Sequence, residues 1–458
     1  MKALVFSLCC ACSGSVQALG LLDAYDLALR NDPTFQAAIQ EREAGEENRI
    51  IGRAGLLPNL SWSYNNSRNE SEVTQSTAVG NVTSDRDYRS YASTLTLQQP
   101  LLDYEAYARY RQGAAQALFA DERFRGKSQE LAVRVLSAYS QALLAQERIE
   151  LSRAQKRAYA ERLQLNERLL KGGEGTRTDL LETQARLSLA QAEEIESLDT
   201  QDAALRELEA IVGEPLQIEE LAPLTRQFDI PPLEPNRFET WRDLAMANNP
   251  ELKSQHHALD AAEYEVERKR AGHMPKVSLY ASSRQTSSDS ESSYNQKYDT
   301  NSVGIQVSLP LFAGGSVSAS TRQAANQLSQ AQYELDAQTA RTLIELRKQF
   351  NLNTSGAAKV RAYEMAVSSA TALVTATKKS VTGGERVNLD VLDAEQQLFT
   401  ARRDLADTAE VFCGVAERAG PAGVGGVFPA VGMMAIFANT PIHCRSCRAL
   451  ARLRWRRD

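Results

Sequence analysis

Two periods of hydrophobic spacing divide the chain. Leu60, Trp62 and Tyr64 alternate with Ser61, Ser63 and Asn65, and Tyr91, Leu95 and Leu97 alternate with Ala92, Thr94 and Thr96. The same spacing returns in Val277, Leu279 and Ala281, and in Val303, Ile305, Val307 and Leu309 against Ser302, Gly304, Gln306 and Ser308. A period of two predicts strands over about 59–67, 88–98, 276–284 and 301–310. Each has one apolar face and one small, polar face. A membrane barrel with a wet lumen needs that alternation, and a half-buried soluble sheet shares it. The stretches Arg68–Asp87 and Arg284–Thr300 are rich in Ser, Asn, Asp and Glu, and read as exposed loops, extracellular if the strands cross a membrane.

Elsewhere the period is helical. No proline occurs over 103–171 or 313–382, and at ~1.5 Å per residue each segment predicts a helix on the order of 100 Å long. Leu131, Val135, Ala138, Ala142, Ala145 and Ile149 step by 4, 3, 4, 3, 4, and Ala324, Leu328, Ala331 and Leu335 by 4, 3, 4. These are coiled-coil seams, and a plain rod or dimeric coiled coil would carry them too. The glycine-rich turns Lys171–Gly175, with Gly172 and Gly173, and Val381–Glu385, with Gly383 and Gly384, end the long helices. Return helices over 177–212 and 387–408 complete two helical hairpins. A shorter helix starts at Pro33, capped by Asp32, and ends before Gly55.

These segments fall into two similar halves, 19–213 and 237–408. Asn31-Asp32-Pro33 matches Asn248-Asn249-Pro250, and the prolines Pro58 and Pro275, like Pro33 and Pro250, lie 217 apart. Pro100 and Pro310 are offset by 210, and Gly173/Gly384 and Asp179/Asp390 by 211. Matches in one order at near-constant offset predict an internal repeat. Between the halves, residues 214–236 carry Pro215, Pro223, Pro231, Pro232 and Pro235, and read as a linker.

Charge and composition narrow the class. A net charge of -6 argues against a nucleic-acid binder. Lys2, the apolar run Ala3–Cys12 and the small residues Val16 and Ala18 predict a signal peptide over 1–18. Residues 19–412 contain no cysteine, so an exported body of this size must be stable without disulfides. The four histidines, His256, His257, His273 and His443, lie in no metalloprotease or nucleophile motif, and no P-loop is present, so neither an enzyme nor a cofactor is expected. No apolar run long enough for a membrane helix occurs before Val411, so any membrane crossing is by strands. Four strands cannot close a barrel, and an open edge in lipid leaves backbone groups unpaired. Three copies, with 3 × 4 = 12 strands, would close one.

The order NDP, GLLP, LQQPLL, GGEGTRTDLLETQARL, then NNP, GHMP, VSLPLF and TGGERVNLDVLDAEQQL resembles the TolC family of outer-membrane efflux and secretion channels over roughly residues 20–408. The paired helix–turn motifs, particularly Asp390-Val391-Leu392-Asp393, are the most specific part. The resemblance implies a mixed, mainly α fold: a trimeric 12-stranded outer-membrane barrel, four strands per chain, continuous with a periplasmic α-helical barrel. It implies a passive exit duct docked to a periplasmic adaptor and an inner-membrane pump, and points to ABC-driven type I protein secretion. Small-molecule efflux is the alternative cargo, and a periplasmic coiled-coil adaptor, lacking membrane strands, is the alternative class.

By the same resemblance Asp390 and Asp393 match a cation-selective ring at the periplasmic entrance, and the turn glycines Gly172, Gly173, Gly383 and Gly384 match the adaptor-docking tips. Acids in a first helical turn also complement the helix dipole without further role. Arg386 resembles an arginine that holds the entrance closed, with Thr178 and Asp179 as its expected partners, and Val381 stands where such channels can carry a gate tyrosine. After Thr408 the composition changes. Residues 409–458 hold Cys413, Cys444 and Cys447, many glycines and a terminal arginine cluster, and read as a tail produced by a change of reading frame near Ala409.

Overall fold

The computed structural model describes residues 18–78, 80–222, 235–290 and 293–418. The segment before Ala18, expected as a signal peptide, most of the proline-rich linker and the tail beyond Arg418 lie outside the described residues. The chain divides into two compact units. Met1–Ala38, Arg125–Asn249 and Ala340–Asp458 form one, and Ile39–Phe124 and Pro250–Thr339 the other.

The second unit contains a four-stranded antiparallel sheet of order β1 (Asn59–Thr77), β2 (Gly80–Leu102), β3 (Lys276–Ser290), β4 (Ser293–Ser308). The strands run further than the alternation predicts. Asn59 pairs with Gln98 and the ladder continues unbroken to Thr77 opposite Gly80. The polar stretch 68–87, expected as a loop, is therefore mostly the outer half of a hairpin, and 284–300 likewise forms strand on both sides. The physical reason is that ladder hydrogen bonds use only backbone, so a strand extends without apolar side chains. Cross-strand polar pairs such as Ser67 with Ser90 (2.8 Å), Arg68 with Asp87 (3.0 Å) and Thr74 with Thr83 (3.0 Å) replace packing there. Nearer the strand starts, Leu60, Trp62 and Tyr64 share one face with Leu95 and Leu97, and that face is exposed. Trp62 stacks on Tyr64 and Tyr64 on Tyr91 at centroid separations of 6.2 and 6.4 Å.

In the same unit α2 (Pro33–Ala54) lies against the start of α3 (Tyr104–Gly172). A Cβ at Gly113 would sit 2.2 Å from the Asn48 carbonyl, so this crossing admits no side chain there. Lys276 at the start of β3 pairs with Glu105 on α3 at 2.6 Å, and Arg111 donates to the Tyr264 hydroxyl of α6 (Pro250–Arg270) at 2.6 Å.

The first unit is helical: α1 (Leu21–Asn31), most of α3, α4 (Arg177–Val212), α5 (Phe238–Asn248), the second part of α7 (Ser316–Thr382) and α8 (Asn388–Arg418). The seam Leu131, Val135, Ala138, Ala142, Ala145 and Ile149 is buried along α3. Asp32, 1% exposed, receives Arg134 through both guanidinium nitrogens at 3.1 and 3.2 Å and accepts from the Thr34 amide at 3.2 Å, which starts α2. Leu19 forms a parallel bridge to Leu221. The buried Tyr139 hydroxyl lies 2.7 Å from the Ala222 carbonyl and 3.0 Å from that of Leu19. Burial pushes its phenol up to about 12.

The last helix differs from its expected end at 408, because α8 continues to Arg418. Residues 409–418 hold no proline and one glycine, Gly414, so nothing in that stretch breaks a helix. Among the described residues no helix is long and apolar enough to cross a membrane.

Candidate functional site

The site lies in the first unit, where the turns of the two helical hairpins occur. At the α3–α4 turn the Gly173 amide donates to the Leu170 carbonyl (3.1 Å) and Gly173 adopts φ +80°, which a side chain would strain. The α7–α8 turn is built alike, with the Gly383 amide on Lys379 (2.9 Å) and Gly384 at φ +75°. Gly172, Gly173, Gly383 and Gly384 are all exposed. Thr176 caps α4: its hydroxyl accepts from the Asp179 amide (3.1 Å) and donates to Asp179 Oδ2 (2.5 Å).

Beneath the turns a buried polar knot joins three helices. Asn166 of α3 donates to the Asp179 carbonyl (3.3 Å) and to Thr183 Oγ1 (2.8 Å) on α4, and accepts from Asn388 of α8 at 2.8 Å. Thr183 in turn donates to the Asp179 carbonyl at 2.8 Å. Every polar atom of the Asn166 amide has a partner, so burial costs it little.

One turn along, Asp393 extends from α8 to Arg186 of α4, with Nη2 to Oδ1 at 2.5 Å. Asp390, three residues earlier, is half-buried and has no side-chain partner among the described residues. Glu395, two residues on, is buried and held by Lys378 of α7 at 2.8 Å and Arg162 of α3 at 3.6 Å. Tyr159, Ala190 and Leu392 form a small core from α3, α4 and α8, and the Tyr159 hydroxyl donates to Gln396 at 2.9 Å. Desolvation raises the Tyr159 phenol above its ordinary value. A cleft of about 390 Å³ follows, lined in part by Arg148, Glu193, Arg403 and Asp407, whose charges pair at 2.7 Å (Arg148–Asp407) and 3.8 Å (Arg403–Glu193).

The structure thus joins Asp393 and Asp179 to neighbouring helices. It leaves Arg386 and Thr178 exposed, and within the chain no bond links Arg386 to Thr178 or Asp179 among the described residues. The carboxylate of Asp179 is used instead in the α4 capping box. Sequence reasoning missed Asn166, Arg186, Arg162 and Glu395. Thr176-x-x-Asp179 is a readable capping signal, whereas partners 207 and 222 residues apart, as in Arg186–Asp393 and Asn166–Asn388, leave no local trace.

No group of three or more metal-ligating side chains occurs among the described residues. The arrangement offers charged and polar side chains at an exposed helical tip.

Comparison with known proteins identifies the family. The family model described as outer membrane efflux protein matches residues 24–214 and 241–410. The chain is 60% identical over 389 residues to the alkaline protease secretion protein AprF of Pseudomonas aeruginosa, covering 85% of this chain and 81% of that one. It is 53% identical over 395 residues to the proteases secretion protein PrtF of Dickeya chrysanthemi, covering 86% of each. The outer membrane protein VceC of Vibrio cholerae has the same fold, with a TM-score of 0.75 at 18% identity over 89% of this chain and 96% of that structure. The chain belongs to the outer membrane efflux protein family, the family of TolC, and is a channel protein of the outer membrane rather than an enzyme.

Proposed function

We propose that this chain is one protomer of a trimeric exit duct serving type I, ABC-driven secretion of a protease-type protein. The single observation that carries the duct is the sheet. Among the described residues no strand pairs with its edges β1 and β4, and its apolar face is exposed, with Val303, Ile305 and Val307 all more than 60% accessible. In lipid each unpaired edge group costs several kcal/mol, so further copies must complete the sheet, and three give 12 strands around a lumen. The succession of two helices, two strands, a long helix and a return helix occurs twice along the chain, which supports an internal repeat and 12 helical segments in a trimeric tunnel. The signal peptide over 1–18 delivers the chain for export. The protein cargo is inferred from the names of the AprF and PrtF relatives.

In this reading the exposed glycine turns meet the periplasmic adaptor. Asp390 and Asp393 contribute to a cation-selective entrance, and Arg386 closes it, with Thr178 and Asp179 at the equivalent turn of the first repeat as its proposed partners. The test is reconstitution in cells lacking their own duct, supplied with the ABC transporter, adaptor and protease of a protease-secretion system. Active protease in the medium is expected only when this chain is present and forms a heat-modifiable trimer. Trimer without secretion, accompanied by resistance to small toxic compounds, would favour small-molecule efflux instead. In planar bilayers Arg386→Ala should raise single-channel conductance, and an unchanged value would refute the closing role.

A further inference from the structure

We propose that Arg186 is a specificity-determining residue of the entrance, holding Asp393 in an ion pair within its own chain so that Asp390 carries most of the cation attraction. The proposal rests on Asp390 and Asp393 lining the entrance. The two acids are three residues apart on α8 but have different surroundings. Asp393 meets Arg186 at 2.5 Å, whereas Asp390 has no side-chain partner among the described residues. Arg186 is fixed from below, since Thr183 and Ala190, the residues three before and four after it on α4, are buried. Its other acidic neighbour, Glu182, is more distant at 3.8 Å.

The pair changes the charge of the entrance. Asp390, Asp393 and Arg186 together contribute -1 per chain and -3 in three copies, where the two acids alone would contribute -6, and Glu182 keeps its own charge in either case. An ion pair with an exposed member contributes little to folding. A fixed charge within a Debye length, about 8 Å, of the ion path nevertheless acts on the passing ion. Removing Arg186 therefore alters conduction more than stability. The pair also ties α8 to α4, so any opening that separates these helices frees Asp393 and makes the entrance more acidic as it widens.

The test is reversal potential in a KCl gradient and block by hexamminecobalt(III), measured on purified trimers in planar bilayers. Arg186→Gln should become more cation-selective and be blocked at several-fold lower concentration, while Arg186→Lys should stay near wild type. Asp393→Asn should be less selective than wild type, and the double variant Arg186→Gln/Asp393→Asn should return toward it. A gain of selectivity is not what general loosening of the tip would give, and unchanged trimer melting confirms an intact fold. If Asp390→Asn/Asp393→Asn abolishes selectivity but Arg186→Gln behaves as wild type or shifts toward anions, the role of Arg186 is overturned and the entrance assignment stands. If Asp390→Asn/Asp393→Asn also leaves selectivity unchanged, both fall.

Discussion

The sheet and the helical hairpins place their side chains in opposite ways. In the sheet, Trp62, Val303 and Ile305 are 67, 77 and 65% exposed, and the small polar residues occupy the other face. In the hairpins Tyr159, Leu392 and the α3 seam are almost wholly buried, and the polar groups that join them there, Asn166, Thr183 and Glu395, have specific partners from other helices. The helical bundle contains its own core. The sheet has its backbone ladder but not its apolar surroundings, which a bilayer and neighbouring copies would supply. Substitutions in the hairpins should therefore act on folding of the chain, and substitutions on the sheet face on insertion.

The largest effect expected is from Arg134→Leu, which leaves the Asp32 carboxylate buried without its cation. A loss of about 4 kcal/mol in urea unfolding followed by helical circular dichroism is predicted. A loss under about 1 kcal/mol would mean that the bundle does not depend on this pair. Leu392→Ala opens a cavity beside Tyr159 and Ala190 and should cost about 3 kcal/mol in the same assay. Ile305→Arg sharpens the contrast from the other side. It should leave helical content in detergent unchanged yet disfavour insertion into vesicles by about 2 kcal/mol. Equal loss in both settings would show that the sheet face is packed on protein.

The smallest expected effect is from Tyr139→Phe, about 1 kcal/mol at neutral pH for the lost hydrogen bond. Its pH dependence is more telling. The folded phenol titrates at about 12, above its ordinary 10.0, so its contribution is fully present below 10 and falls as pH rises toward 12. Melting temperature of the wild type should drop over that window more steeply than that of Tyr139→Phe.

Much of this was legible in the residues. The proline-free runs, the 4-3 seams and the glycine turns gave the long helices and their ends, because helix propensity, capping and seam burial are local or periodic. Alternation located the inner halves of the strands, where apolar side chains line one face. It could not give their outer halves, since residues such as Ser71 and Thr74 are held by backbone pairing that carries no side-chain period. The α8 extension to Arg418 was likewise obscured by a change in composition that does not itself break a helix.

The sequence by itself determined the long helices and their turns, the inner parts of the four strands, the acids at the start of α8 and, through its motifs, the family, whereas the short helices α1, α5 and α6 emerged only in the structure. Only the tertiary structure decided which charge meets which. It set Asp393 on Arg186 and left Asp390 without a side-chain partner. It buried Glu395 against Lys378 and Arg162, and it used Asp179 for a helix cap. The reason is physical: helix and strand follow from spacing along the chain, whereas an ion pair between residues 207 apart exists only once two helices have packed in one register.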